Sequence, residues 1–456
     1  MKIIIAGDGK LGDTLTRQLS SSGYDITLID SKKNVLENSL ERYDIMTIQG
    51  NCATLTVLEM AGVMEADLLI AATGADEVNL LCCTTAHVVN PNLHTIARIR
   101  NPEYYDQIYK LRDLYGVSLV VNPDRQAASE MEHLLKYPGF LKRETFARGR
   151  VEIVELRIDS KSKLCNTALN DMYRIVRCKV LVCIVMRAGK AITPDGNFVL
   201  REGDRIYVTG AANHMTMLLK NLGIITRKVK RVIICGGGKI SYYLAQQLEK
   251  NDVTVQIIEQ NSQRCVELAE RLPDISIING DASKQYLLDS EGISDCDALV
   301  TLTGLDELNM FISLYGSSCG VPQVITKLAH IENNDMVNSL SVGSVISPKD
   351  LCCNTIVRYA RAIHNQTGAA EAIHTIADGK AEAIEFVVDE NTQHCGQPLK
   401  EISLKKGILI ACIAHNGVIE IPNGESCFQA GDMIVLISSG RNDVIYQLND
   451  IFVNRG

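Results

Sequence analysis

The sequence predicts an α/β chain in which a parallel-sheet domain and a smaller α+β domain follow one another twice. Three observations carry this. The opening stretch MKIIIAGDGKLG returns, altered, as KRVIICGGGKIS at residues 230–241. In both halves, continuous apolar runs alternate with helix-patterned segments, as in a parallel sheet covered on both faces. A smaller repeat, KAITPDGNFVLREGDRIYV at 190–208 against VIEIPNGESCFQAGDMIVL at 418–436, carries brief alternating strands with Gly-Asp turns.

The elements follow in order. KIIIAG reads as a buried strand, and Leu11, Leu15 and Leu19 then recur at helical spacing. DITLID, ADLLIAAT, HTIARI and SLVVNP read as further strands. Ile240, Leu244 and Leu248 repeat the helical stripe in the second copy. Gly7, Gly9 and Gly12 correspond to Gly236, Gly238 and Ser241, and Asp30 corresponds to Glu259, each 229 positions later. After a one-residue insertion, GNCATLTVLEMAG answers GDASKQYLLDSEG, and ATGADEVN answers LTGLDELN. Arg98 sits opposite Lys327. In the small unit Pro194, Gly196, Gly203 and Asp204 match Pro422, Gly424, Gly431 and Asp432. This is a duplication of a two-domain module, not a solenoid. It divides the chain at 1–136, 137–228, 229–366 and 367–456. The links are expected in YPGFLKRETFARGR (137–150) and NQTGAAEAIHTIADGK (365–380).

Composition bounds the function. A chain of 456 residues is too long for one core and suits two to four domains. A net charge of −8 argues against a general nucleic-acid surface. Apolar runs such as VLVCIVM are too short to cross a bilayer. The N-terminus reaches Asp8 too soon for a signal peptide. The 15 cysteines, an odd number, suit free thiols in the cytosol. No C-x-x-C occurs, and His394-Cys395 has no second pair at zinc spacing, so the thiols read as structural.

The glycine loops carry the chemistry. The first follows an apolar strand, opens a helix, and has Asp30 at the end of the next strand, the context a Rossmann-like dinucleotide fingerprint requires. Gly7 permits the tight turn, Gly9 lets the backbone approach a pyrophosphate, and Gly12 lets the helix pack closely. Amides at the helix start face the phosphates. Asp30 accepts from ribose hydroxyls and disfavours a 2′-phosphate, so NAD or an adenine nucleotide fits better than NADP. Thr73 and Gly74 are expected across the same crevice, with Arg98 reaching the phosphates. Asp8 is expected to point outward, since a carboxylate inside the loop would weaken phosphate affinity. In the second loop Ser241 replaces the third glycine, Lys327 replaces Arg98, and Glu259 keeps the acceptor.

Two classes of function compete: an NAD-dependent oxidoreductase with duplicated Rossmann domains, and a ligand-sensing regulatory protein without turnover. A dehydrogenase needs a proton donor or metal beside the nicotinamide. No Tyr-x-x-x-Lys pair and no H-x-x-x-H pair occurs. Tyr104, Tyr105 and Tyr109 read as one face of a helix, and the small domain does not resemble a substrate domain.

The order AGDGKLG, Asp30, GNCA, ATGADEVNLL and ARIR, then a small domain and a second copy, resembles the TrkA family across the whole chain. The most specific feature is the glycine loop joined to T-G-x-D-E-x-N in both halves. The resemblance implies a peripheral, cytosolic regulatory subunit of a bacterial Trk potassium-uptake system, built from tandem RCK (regulating conductance of potassium) modules. It implies NAD(H) and/or ATP/ADP as regulatory ligands. The implied partners are a homo-oligomeric gating ring and an integral-membrane potassium transporter subunit of TrkH/TrkG type. The first site would use Gly7, Asp8, Gly9, Lys10, Leu11, Gly12, Asp30, Thr73, Gly74 and Arg98, with Arg100 as a further phosphate contact. The second would use Gly236, Gly237, Gly238, Lys239, Ile240, Ser241, Glu259, Thr303, Gly304 and Lys327.

Three other features have plainer readings. RKVKR (227–231) reads as a solvated link into a strand rather than a lipid contact. Asp76-Glu77 and Asp306-Glu307 read as acidic residues favouring a helix N-terminus rather than a metal pair. EVNLLCCTTA and ELNMFISLYG read as helices packing the core or pairing modules.

Overall fold

The computed structural model describes residues 1–453 except 137–140, 147–149, 225–227, 330–339, 341, 365–369, 371, 378–379, 440–444 and 446. The first parallel sheet contains β1 (Lys2–Ala6), β2 (Asp25–Asp30), β3 (Met46–Gln49), β4 (Leu68–Ala71), β5 (His94–Arg98) and β6 (Leu119–Val121), in the order β3-β2-β1-β4-β5-β6. β1 and β4 are buried along nearly their whole length, matching their unbroken apolar sequence. The sequence reading missed β3. MTIQ is short, half polar and at the sheet edge, so it lacks the continuous apolar signal that marks the inner strands.

The first small sheet is antiparallel. It comprises β7 (Lys142–Phe146), β8 (Val151–Arg157), β9 (Val180–Arg187), β10 (Lys190–Ile192) and β11 (Arg205–Ala211), in the order β10-β9-β11-β8-β7. The second parallel sheet repeats the first with β12 (Arg231–Cys235), β13 (Thr254–Glu259), β14 (Ser276–Asn279), β15 (Ala298–Thr301), β16 (Gln323–Lys327) and β17 (Ser344–Ile346). The second small sheet holds β18 (Ala372–Ile376), β19 (Ala381–Val387), β20 (Ile408–His415), β21 (Val418–Glu420) and β22 (Met433–Ser438), ordered β18-β19-β22-β20-β21. Strand for strand, the duplication holds.

The segments expected as links are corrected in part. β7 and β18 lie inside them, so each small sheet draws an edge strand from residues that read as connector. Residues 137–140, 147–149, 365–369, 371 and 378–379 of those segments, and Arg227, lie outside the described residues. The Gly-Asp turns are held from the side chain. Asp204 accepts from Arg201 N at 2.7 Å and pairs with Arg187; Asp432 accepts from Gln429 N at 2.6 Å and faces His415 Nδ1 at 2.8 Å. The two small sheets share one core, in which Phe146, Ile153 and Ile184 lie with Ala383, Cys412 and Ile437.

Compact units do not follow chain order. One comprises residues 1–129, 239–244 and 347–360; the other comprises the remainder. In the first, residues 348–360 of the helix Pro348–His364 lie with the first sheet's residues: Gln126 Nε2 donates to Thr355 Oγ1 at 3.3 Å, and Asn122 donates to the Tyr243 hydroxyl at 3.1 Å. In the second, Gln323 of β16 donates to the Leu134 carbonyl at 2.7 Å.

Candidate nucleotide crevices

In each sheet the strand order reverses between the first and fourth strands, and the crevice beyond their carboxyl ends is where open α/β sheets bind ligands. In the first, Gly7 follows β1 and donates its N–H to the Ile29 carbonyl at 2.7 Å. Its φ of +101° suits glycine, and a Cβ there would lie 2.9 Å from the Thr73 backbone. Gly236 repeats this at φ +105°, with a Cβ 2.7 Å from the Leu302 carbonyl oxygen. The next glycines differ in kind. Gly9 and Gly238 open the helices Lys10–Ser21 and Lys239–Glu249 without any side-chain cap, and a Cβ at either would meet nothing within 4 Å. Gly74 and Gly304 are open in the same way. A cradle of uncapped helix amides with open space before it fits a phosphate. Lys10 and Lys239 are exposed beside it, whereas Leu11 and Ile240 turn their side chains into the core.

At Gly12 a Cβ would fall 1.9 Å from the Gly7 carbonyl oxygen. Helix meets loop too closely there for any side chain. Ser241 nevertheless occupies the matching position fully buried.

The carboxylates at the ends of β2 and β13 organise their loops. Asp30 accepts from Asp8 N at 2.8 Å and Lys32 N at 2.9 Å. Glu259 accepts from Gly237 N at 2.6 Å and Asn261 N at 2.7 Å. Each oxygen retains acceptor capacity for a ribose hydroxyl.

Asp8 corrects the expectation that it points outward. Its side chain is buried, and Ser39 Oγ donates to its Oδ2 at 2.6 Å, while Oδ1 has no protein partner. Burial pushes its carboxyl above the usual range, with the Ser39 hydroxyl opposing and Asp13 and Asp30 adding.

Across the crevice, a network absent from the sequence reading fixes Thr73. Asn79 Oδ1 accepts from Thr73 N at 2.8 Å and Thr73 Oγ1 at 2.7 Å, while Asn79 Nδ2 donates to the Arg98 carbonyl at 2.8 Å. The second copy repeats it through Asn309, at 2.8, 2.7 and 3.0 Å to Thr303 N, Thr303 Oγ1 and the Lys327 carbonyl. Arg98 Nη2 donates to the Thr73 carbonyl, as Lys327 Nζ does to Thr303. Arg98 Nε is buried without a protein partner, and burial holds its guanidinium below the usual range. The charge of the guanidinium, rather than this enclosed N–H, is what an anionic ligand in the crevice would meet.

Arg100 is drawn elsewhere: Asp124 takes its guanidinium bidentately at 2.7 and 3.2 Å, which competes with any role as a phosphate contact. The acidic pairs fall in the first turns of the helices Asp76–Val89 and Asp306–Ser318, as expected, and Asp76 and Asp306 have a further role. Asp76 accepts from the backbone N–H groups of Arg100 and Asn101 at 2.9 and 2.7 Å, and Asp306 accepts from Ala329 N at 2.9 Å. They anchor the loop after the fifth strand. Among the described residues no group of three or more His, Cys, Asp or Glu side chains could hold a metal, and all 15 cysteines are free. No described helix is long and apolar enough to cross a membrane.

Comparison with known proteins agrees with the duplicated fold. The TrkA-N domain family matches residues 3–123 and 232–348, and the TrkA-C domain family matches 153–223. The chain is 31% identical over 452 residues to the Trk system potassium uptake protein TrkA of Haemophilus influenzae, covering 97% of each chain. It is 31% identical over 453 residues to the TrkA homolog of Archaeoglobus fulgidus, covering 99% of this chain and 100% of that one. Among solved structures, the GsuK RCK domain superposes with a TM-score of 0.63 at 19% identity, over 96% of this chain and 92% of that one. The GsuK channel bound to NAD gives 0.62 at 19% identity, over 96% and 77%. At that identity the two structures speak for the fold alone. The chain therefore belongs to the TrkA family, regulatory proteins of Trk potassium uptake and not enzymes.

Proposed function

We propose that this chain is a cytosolic, nucleotide-sensing gating subunit that binds NAD(H) and/or ATP/ADP in its two crevices. In this reading it acts on a membrane-embedded potassium transporter from the inner face of the membrane, as part of a homo-oligomeric ring. The observation that carries it is the paired cradle: an uncapped helix start at Gly9 and at Gly238, open in front, opposite an open Thr-Gly turn with a half-buried cation behind it. The GsuK channel bound to NAD has a related fold, which supports a dinucleotide as one candidate. The reading divides the chain at 1–136, 137–228, 229–366 and 367–456, with the crevices in the first and third domains.

Amides of the first helical turn would take the phosphates, Asp30 or Glu259 the ribose hydroxyls, and Arg98 or Lys327 the negative charge of the distal phosphates. NAD and ATP share adenosine and its adjacent phosphates, so one crevice can admit both. Gating requires that a ligand favour one ring shape over another, since equal affinity for both shifts nothing. Equilibrium dialysis or calorimetry with ATP, ADP, NAD and NADH tests the reading, since the chain has no tryptophan for intrinsic fluorescence. One or two sites per chain, unequal affinities and no NADH oxidation are expected. Absence of binding by all four would sink it.

A further inference from the structure

We infer that the two crevices of one chain discriminate nucleotides by charge: Asp8 makes the first less tolerant of phosphate charge, and Arg264 makes the second favour polyphosphates. The inference rests on the nucleotide reading above and assigns each crevice its own ligand class, a weakly charged nucleotide in the first and a nucleoside polyphosphate in the second.

The two loops have the same backbone course and opposite chemistry behind it. At position 8 the side chain is a buried carboxylate held by Ser39 Oγ at 2.6 Å. Position 237 is glycine, and a Cβ there would lie 2.6 Å from Leu268 Cδ1 and 3.0 Å from Glu259 Cγ. Leu268 stands 229 positions after Ser39, so the pair Asp8–Ser39 has become Gly237–Leu268. Leucine fills the space, and a carboxylate no longer fits. Where the first copy has Val35, the second has Arg264, whose Nε donates to the Gly237 carbonyl at 2.8 Å. Its Nη1 pairs with Glu267, and its side chain remains 29% exposed.

Charges this close to a phosphate loop act through a partly desolvated medium, where they matter more than in water. Asp13 lies near Asp8 as well, but Arg42 pairs with it. Asp13–Arg42 and Arg264–Glu267 are each ion pairs, so what sets the loops apart is a buried carboxylate beyond the ribose acceptor in the first and a guanidinium bonded to the loop carbonyl in the second. Each additional phosphate on a ligand meets the carboxylate in one crevice and the loop-bound guanidinium in the other.

The test uses the full-length chain and calorimetric binding of AMP and ATP without divalent metal. Gly238→Asp isolates the first crevice and Gly9→Asp the second. Both positions are extended helix caps with open space, where aspartate suits the helix and blocks an anion. The ratio of ATP to AMP affinity is expected to be about tenfold higher in the second crevice. Asp8→Asn, which keeps an acceptor for Ser39, should raise ATP affinity of the first about fivefold and AMP less than twofold. Arg264→Gln should lower ATP affinity of the second about fivefold, again sparing AMP. Arg264 is partly exposed, so its variant stands as an independent test should Asp8→Asn disturb folding. Equal ratios in both crevices, or AMP and ATP shifting alike in either variant, would overturn the charge inference while leaving the nucleotide reading intact. Binding of neither ligand to the unmodified chain would overturn the charge inference, and the nucleotide reading falls with it if ADP, NAD and NADH also fail to bind.

Discussion

Thr73, Asn79 and Arg98 in the first crevice and Thr303, Asn309 and Lys327 in the second repeat the same contacts, with distances agreeing within 0.2 Å where both are compared. Position 8 and its counterpart 237 share only the backbone. The difference separates two kinds of constraint. The rim after the fourth strand must satisfy buried backbone groups, so an asparagine with both donor and acceptor recurs at the same spacing in each half. The side behind the glycine loop need only fill space, and an Asp–Ser pair or a Gly–Leu pair does so equally well. Ligand chemistry can diverge there without disturbing the frame.

The frame is the first thing to break. Gly7→Ala and Gly236→Ala each force a side chain onto backbone at positive φ and should cost about 2–4 kcal/mol, read as a lower denaturation midpoint of the full-length chain. Asn79→Ala and Asn309→Ala should follow at about 2–3 kcal/mol, because each strands buried polar groups. Within each pair the two losses should match to about 1 kcal/mol. A large loss in one half alone would mean the shared hydrogen bonds do not carry equal weight.

A smaller effect concerns the cations. Arg98→Gln and Lys327→Gln remove a positive charge from corresponding positions and free the carbonyls of Thr73 and Thr303. ATP affinity should fall by about fivefold to tenfold, and NAD affinity by less, since ATP concentrates more charge near the cation. Equal falls for both ligands would show that these side chains hold the loop rather than read the ligand.

The parallel sheets and their glycine turns were legible because one physical constraint produced one residue type. Positive φ at Gly7 and Gly236 admits little but glycine, and strands buried on both faces are continuously apolar. Asp30 and Glu259 were legible for the same reason, their position at a strand end. What escaped depends on residues that the fold brings together. Ser39 reaches Asp8 across 31 residues, Arg264 reaches Gly237 across 27, and Asp76 serves amides 24 residues away. Nothing in local spacing announces these pairs. The expected outward Asp8 failed on this point, since a hydroxyl on the helix after β2 (Lys33–Arg42) offered the carboxylate a buried partner. The T-G-x-D-E-x-N stretch was visible as a pattern and its Asp as a helix-start residue, but neither its Asn nor its Asp was legible as the anchor of a loop. The strands β7 and β18 were read as links because each is a sheet edge of mixed polarity beside glycine-rich sequence.

The smallest predicted effect is also the most specific to one crevice. Asp8 is pushed above the usual carboxylate range chiefly by burial; Ser39 and Arg42 oppose this, and Asp13 and Asp30 reinforce it. A carboxyl whose folded pKa is raised contributes stability that is complete below its unfolded value of about 3.9 and is lost as pH rises through the folded value. Asp8→Asn removes that dependence while retaining an acceptor for Ser39. The variant should therefore be the more stable protein near neutral pH, and its advantage should shrink as the solution is acidified. Melting midpoints of both proteins between about pH 4 and pH 8 decide the matter. The second loop has glycine at this position, so Gly237→Ala should show no such slope, only the uniform cost of crowding Leu268. If the gap between Asp8→Asn and the unmodified chain were flat across pH, the buried carboxylate would carry no electrostatic penalty. The electrostatic difference between the two loops would then rest on Arg264 alone.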